Sequence, residues 1–170
     1  MECGDKMKLL KNVKWIITVV FILITIGTVV IFVNHNRLHA NTNLSNFKID
    51  KFKIGSKMNK HKFELDDDVL LKKVYVYSMV DHPEFIVLVN KRSNQIVGMS
   101  LLNDNSLQTN YGWKIGDDIS KVKASLNANY REKSLHNGFK SLIFIDKKHK
   151  IKLFVVHKNN KIKKIEIHNK

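Results

Sequence analysis

The chain of 170 residues has few of the residues that constrain a backbone: one cysteine, one proline and seven glycines. The single cysteine, Cys3, has no second cysteine with which to form an intramolecular disulfide. A folded part must therefore be held together by a packed apolar core and not by cross-links. No low-complexity segment appears.

Signatures of catalytic and metal sites are also missing. The sequence contains no HExxH motif, no paired CxxC motif and no glycine-rich phosphate loop, and no neighbouring histidine marks a serine as a nucleophile. Among the eight histidines, His61 lies near the acidic residues 66–68, a crude cation site for which a solvated acidic loop is the simpler explanation. We therefore predict no catalytic, metal-binding or cofactor-binding residues and a protein that is not an enzyme.

Acidic residues are scarce relative to basic ones. The chain has 15 Asp and Glu against 30 Lys and Arg, which gives a formal net charge of +15. A basic surface attracts polyanions, such as anionic wall polymers, lipid headgroups or nucleic acid. Richness in lysine, asparagine and isoleucine is also typical of an AT-rich genome, so both explanations of the charge stay open.

One long apolar run is present, residues 15–33 (WIITVVFILITIGTVVIFV), and it contains no charged residue. As an α-helix, this run would span about 28 Å, close to the hydrocarbon core of a bilayer at roughly 30 Å. A buried core helix would usually be interrupted or carry a polar stripe. We therefore predict a transmembrane helix that acts as a signal-anchor, with a cleaved signal peptide as the alternative.

The charges on either side of this run predict its orientation. Residues 1–14 form a basic tail with four lysines, whereas residues 34–46 form a polar linker with Arg37 as its one firm charge. Positive charge in short flanks stays on the cytoplasmic side. The sequence thus predicts a single-pass protein of the cell membrane, with the N-terminus and Cys3 in the cytoplasm and the C-terminal domain outside.

Beyond the linker, β-branched and aromatic runs predict antiparallel strands. These runs begin at Val69 and cover residues 69–71, 74–77, 85–89, 96–102, 139–145, 151–156 and 162–167. Ile119, Val122 and Leu126 form one apolar stripe, which predicts a short helix. The predicted fold class is α+β: an N-terminal transmembrane helix followed by a duplicated domain of antiparallel β-sheet and short helix.

The duplication is predicted from a repeated turn. Residues 53–56 (KIGS) recur as residues 114–117 (KIGD), and each is followed by a candidate helix and about three strands. The first unit is predicted to cover residues 47–108 and the second residues 109–170. The glycine of each turn, Gly55 or Gly116, is expected to let the chain turn sharply with a positive φ.

Four stretches carry a resemblance to a known family: residues 74–77 (VYVY), 85–89 (FIVLV), 95–99 (QIVGM) and 113–116 (WKIG). Over residues 50–168 the chain resembles the CAP-associated domain of exported proteins from Gram-positive bacteria, without the CAP domain itself. The resemblance implies a duplicated helix-plus-sheet unit. It implies no catalytic activity.

These observations lead to one leading function and two alternatives. The leading prediction is a membrane-anchored, extracytoplasmic, non-catalytic binding module for an envelope protein. Tyr111, Trp113 and Tyr130 are its candidate partner surface, with core packing as the other explanation of these rings. The alternatives are a basic protein that binds an anionic wall polymer, lipid or nucleic acid, and an enzyme with an unrecognised site. We expect no small-molecule substrate.

Overall fold

The computed structural model describes residues 41–126 and 130–169. The predicted basic tail 1–14 and the predicted membrane span 15–33 lie outside these residues. Residues 41–46 of the predicted linker are described, and they do not form a free linker, because Thr42 and Leu44 are buried at 4% and 1% exposure.

The structure corrects the prediction of a single-pass membrane protein. Among the described residues, no helix is long and apolar enough to cross a bilayer. The segment from which the span was predicted lies outside those residues. The predicted membrane localisation and its orientation are therefore not supported.

The described residues form ten strands and one α-helix. The strands are β1 (Lys48–Ile49), β2 (Phe52–Lys53), β3 (Phe63–Leu65), β4 (Val74–Met79), β5 (His82–Asn90), β6 (Ile96–Leu102), β7 (Arg131–Ser134), β8 (Lys140–Asp146), β9 (Ile151–Lys158) and β10 (Lys161–Asn169). The helix α1 covers Ile119–Leu126, and short 3-10 turns cover Lys60–Lys62 and His136–Gly138.

Eight of these strands form one continuous sheet in the order β3-β4-β5-β6-β10-β9-β8-β7, with every neighbouring pair antiparallel. The order describes two meanders of four strands each, which meet where β6 pairs with β10. We call this pairing the seam. It aligns Leu101 with Ile165 and Met99 with Ile167.

The predicted α+β fold class is wrong. Strands make up 48% of the described residues, and α1 is their one α-helix, of eight residues. The first half has no counterpart of α1 other than the 3-10 turn Lys60–Lys62, because that stretch buries no residue and so has no apolar stripe to hold a helix against the sheet. The two halves also share one sheet instead of forming a sheet each.

The sheet forms because its strands alternate apolar and polar side chains. β10 is the clearest case: Ile165 and Ile167 are fully buried on one face, and the polar residues that alternate with them are half-buried on the other. The same alternation puts Phe85 and Val87 of β5 in the core. Each fully buried side chain of this size contributes about 1.5–3 kcal/mol through the hydrophobic effect.

The core face is covered by the segments that precede each meander. Phe52 packs against Phe63 and Phe85 with ring centroids 5.2 and 5.5 Å apart. In the second half α1 buries Ile119 and Val122. These segments complete the hydrophobic core and leave the other face of the sheet uncovered by described elements.

A buried carboxylate fastens the first described residues to the second half. Asp146 is 1% exposed, and its Oδ2 accepts a hydrogen bond from the amide of Leu44 over 2.8 Å. The amide and ring of His149 bond to the same carboxylate over 2.9 and 2.8 Å. Burial raises the pKa of Asp146, but these hydrogen bonds outweigh it and hold the pKa below its usual 3.8.

The turn of the first half is held by two backbone hydrogen bonds. The amide of Gly55 donates to the carbonyl of Ile96 over 2.8 Å, and the amide of Ile96 donates to the carbonyl of Ser56 over 2.9 Å. Gly55 has a φ of 84°, a value that L-residues rarely adopt. The turn is thereby fixed to the start of β6.

The turn of the second half repeats this arrangement. The amide of Gly116 donates to the carbonyl of Ile162 over 2.8 Å, and the amide of Ile162 donates to the carbonyl of Asp117 over 2.9 Å. Gly116 has a φ of 89°. The last strand of each half is therefore held by an equivalent turn, and the two halves are structural copies in this region.

We predict that replacing either turn glycine with valine, Gly55→Val or Gly116→Val, destabilises the protein by about 1–3 kcal/mol. A Cβ at either position would meet no atom within 4 Å, so the penalty comes from the positive φ and not from a clash. Urea denaturation measures the free energy of unfolding. The exposed Glu64→Val in β3 is the control, expected to cost less. An unchanged unfolding midpoint in both glycine variants would contradict the assignment.

Candidate binding surface

We call the sheet face opposite the core the open face. The strand register aligns its side chains in three rows: Ile86, Ser100, Glu166, Phe154 and Ile143; Leu88, Gly98, His168, Lys152 and Ile145; and Leu102, Lys164, Val156 and Ser141. Most of these residues are half-buried or exposed. No described element packs across them.

A shallow depression lies in the open face where β5, β6 and β10 run side by side. It encloses about 290 Å³, and Ile86, Leu88, Gly98 and Lys164 are among the residues that line it. The depression exists because Gly98 has no side chain: a Cβ there would lie 2.9 Å from Cδ1 of Leu88. Small-molecule sites are usually about 300–1,000 Å³ and enclosed, so this one suits a single side chain of a partner better.

Beside the depression, the centre of the open face is apolar and aromatic. The rings of Phe154 and His168 are stacked, with centroids 5.4 Å apart and planes inclined by 16°. Ile143 and Ile145 of β8 lie half-buried beside them. A partially exposed aromatic ring among aliphatic side chains is a common centre for a protein interface.

Basic side chains outnumber acidic ones around this centre. Lys164 forms an ion pair with Glu166. Arg131, Lys133 and Lys152 also lie on the open face, and none of them forms an ion pair among the described residues. The open face therefore carries unneutralised positive charge beside its apolar centre.

The edges of the sheet are less suitable for binding than its face. The edge strands β3 and β7 contain three and four residues, and β7 has the charged sequence REKS with every residue exposed. Short, charged edge strands discourage the addition of a further strand. Binding through an added β-strand is therefore disfavoured at both edges.

The three aromatic residues predicted as a partner surface lie on the other side of the sheet. Trp113 is 1% exposed, and its Nε1 donates a hydrogen bond to Oγ of Ser125 over 2.7 Å. Tyr111 stacks on Trp113 with ring centroids 5.2 Å apart, and Tyr130 packs on Phe144 at 5.7 Å. Tyr111 and Tyr130 are half-buried, so core packing accounts for all three rings.

The histidine at the start of β5 meets an aspartate and a serine of the loop after β6, but not as a catalytic triad. Nδ1 of His82 lies 2.7 Å from Oδ2 of Asp104 and 3.1 Å from Oγ of Ser106. A triad needs the carboxylate and the serine on opposite ring nitrogens. Burial raises the pKa of Asp104, but hydrogen bonds from Ser106 and His82 hold it below 3.8, so this group fastens the loop. Sequence reasoning missed the group because Ser106 and His82 are 24 residues apart.

No metal site is formed by the described residues, since no group of three or more His, Cys, Asp or Glu side chains is placed to hold an ion. The crude cation site considered at His61 is not assembled. His61 lies exposed in a 3-10 turn, and Asp66 accepts a hydrogen bond from the amide of Asp68 over 3.2 Å.

One buried titratable group distinguishes the second half from the first. His157 is 5% exposed, and its Nε2 has no hydrogen-bond partner. His157 pairs with Ile162 as Val89 pairs with Ile96, so the imidazole occupies the position of a fully buried valine in the other half. Burial lowers the pKa of His157 below its usual 6.5.

The open-face residues were missed because a sequence does not show which sheet face stays uncovered. The available signal lies in β9, where Phe154 and Val156 are apolar although they fall on the face opposite the buried residues of the strand. Apolar residues on both faces of a strand suggest either a second covering layer or a binding surface.

We predict that His157→Val makes unfolding less sensitive to acid. Because the folded-state pKa of His157 is lowered, the unfolded chain binds more protons near pH 6, and the wild type loses stability as pH falls from about 6.5 through the folded pKa. The free-energy gap between variant and wild type should widen by up to about 1.4 kcal/mol per pH unit in that range. Urea denaturation at several pH values measures it. The mirror variant Val89→His should gain acid sensitivity, and parallel pH curves for His157→Val and the wild type would contradict the assignment.

Comparison with known proteins found no matching protein-family model, no matching curated protein and no matching solved structure. The resemblance to the CAP-associated domain therefore stays a prediction. Function has to be inferred from the surface of the chain itself.

Proposed function

We propose that this chain is a non-catalytic binding module that holds a protein partner on the open face of its sheet. The depression at Gly98 carries the proposal. It is an apolar recess at the seam, bordered by Ile86 and Leu88, with charged residues of β10 on its other side. A recess of about 290 Å³ fits one anchoring side chain of a partner.

The charge of the open face favours a partner with acidic residues around an apolar anchor. Arg131, Lys133 and Lys152 would face those residues, and the stacked Phe154 and His168 would lie beneath the interface centre. Complementary charge raises the association rate and selects the partner, whereas the apolar centre supplies most of the affinity.

The contacts among His82, Asp104 and Ser106 favour a binding role over catalysis. Both polar partners contact the same ring nitrogen of His82, so the histidine is not arranged to accept the serine proton. A binding module also agrees with the resemblance to the CAP-associated domain, which implies no activity of its own. The turns at Gly55 and Gly116 match, but the first half lacks the helix of the helix-plus-sheet unit that this resemblance implies.

Site-specific photo-crosslinking tests the proposal. A photoreactive amino acid at Ile86, which is 38% exposed, should crosslink the full-length chain to one defined protein in cells of its source. The same amino acid at Leu70, which is 88% exposed and outside the open face, is the matched control and should not capture that protein.

We predict that Ile86→Glu lowers the affinity for the captured protein by at least about tenfold, because it puts a charge into the apolar recess. Leu70→Glu makes the same change of side chain outside the open face and should leave the affinity unchanged. Equal losses in both variants would contradict the assignment of the surface.

Salt dependence separates a protein interface from binding to a polyanion. An interface with an apolar centre should weaken modestly between about 50 and 200 mM salt, whereas lysines on a polyanion should lose orders of magnitude in affinity. A steep loss together with no captured protein would refute the proposed function.

A further inference from the structure

A second surface feature lies at one end of the first meander, and it shares no lining residue with the depression. Lys72, Lys73, Asn90, Lys91 and Arg92 line a cleft of about 440 Å³, which we call the basic cleft. Four of these five residues carry a positive charge, and no acidic residue lines the cleft. The residues come from two stretches, one before β4 and one at the hairpin between β5 and β6.

Hydrogen bonds hold the two stretches of the basic cleft in place. The amide of Lys91 donates to the carbonyl of Lys73 over 3.0 Å, which ties one stretch to the other. Oδ1 of Asn90 accepts the amides of Arg92 and Ser93 over 2.9 and 3.1 Å, which fixes the hairpin turn. The backbone that carries the cations is therefore organised before any ligand arrives.

The four cations have no carboxylate to neutralise them. Neither Lys72, Lys73, Lys91 nor Arg92 forms an ion pair among the described residues, in contrast to Lys121 and Lys140, which pair with Asp117 and Glu132 at 2.9 and 3.0 Å. Nζ of Lys91 lies over the ring of Tyr75, 4.8 Å from its centroid, a contact that leaves the charge of Lys91 in place. Like charges gathered in one cleft repel each other, and an anion bound among them would remove that repulsion.

The donors in the basic cleft match phosphate oxygens. The planar guanidinium of Arg92 can bind two oxygens of one phosphate, and each lysine supplies an ammonium group. Oδ1 of Asn90 accepts the hydrogen bonds of the turn. Its Nδ2 has no partner among the described residues and can donate to a ligand. A single phosphate is too small to reach all the cations of a cleft of about 440 Å³.

We propose that the basic cleft binds an oligophosphate, a ligand with several linked phosphate groups. The shared chemistry of such ligands is a short chain of phosphates, whether it is free or part of a nucleotide. The site does not depend on the open face, and it stands or falls independently of the proposed protein partner.

Calorimetry with inorganic tripolyphosphate tests the proposal on the full-length chain. One tripolyphosphate should bind per chain, more tightly than inorganic phosphate. The double variant Lys72→Ala with Arg92→Ala should lower that affinity by at least about tenfold, since it removes two charge-assisted contacts. Because all four cations of the cleft are exposed, the thermal midpoint without ligand should be unchanged or raised.

The matched control removes two lysines outside the cleft, Lys148→Ala with Lys163→Ala, both exposed. This control lowers the net charge equally and should keep its affinity for tripolyphosphate within about twofold. Equal losses in both double variants, or no saturable binding by the wild type, would overturn the proposal.

Adenosine triphosphate is the second probe: equal affinity assigns recognition to the phosphate chain, and tighter binding adds recognition of the nucleoside. A single-stranded oligonucleotide that binds more tightly than either probe, and equally to both double variants, would assign the charge to general polyanion binding and overturn the cleft.

Discussion

The pairing of β6 with β10 is the constraint on which the rest of the structure depends. Each meander has only four strands, and each would leave its last strand as an open edge. At the seam these two edges close on each other, with Leu101 opposite Ile165 and Met99 opposite Ile167 in the core. The same pairing places Gly98 next to His168 on the open face and so forms the depression proposed for the partner. Stability and the proposed binding surface thus have one structural origin.

The two halves repeat one turn, and the two proposed binding surfaces are lined by other residues. The turns at Gly55 and Gly116 keep the same hydrogen bonds, because they hold the last strand of each half in register. Positions away from those turns are free to diverge. The hairpin after Asn90 gathers Lys91 and Arg92 into a basic cleft. Beside the equivalent hairpin of the second half lies the buried His157, and the corresponding position of the first half holds the buried Val89.

Local patterns predicted the elements, and long-range pairing decided the fold. The five strands predicted from Phe85 onward and the helix with the stripe of Ile119 and Val122 lie where periodicity placed them. The expected strand at residues 69–71 is absent: its apolar residues are exposed, Leu70 at 88%. β7 was missed because its four exposed residues have no apolar alternation. Neither the seam nor the uncovered face could be predicted, because strand register between distant segments leaves no local signal. The membrane localisation rested on the hydropathy, length and flanking charges of a segment outside the described residues, among which no helix is long and apolar enough to cross a bilayer.

Native-state hydrogen exchange tests most directly whether the two halves form one cooperative unit through the seam. The amides of Leu101 and Ile165 at the seam, and of Val87 and Val155 within the two meanders, lie in strands paired on both sides. We expect all four to exchange only through global unfolding, with one common free energy that falls together on adding denaturant. Exchange of one meander at a lower free energy, with the other still protected, would show two independent units and contradict the account.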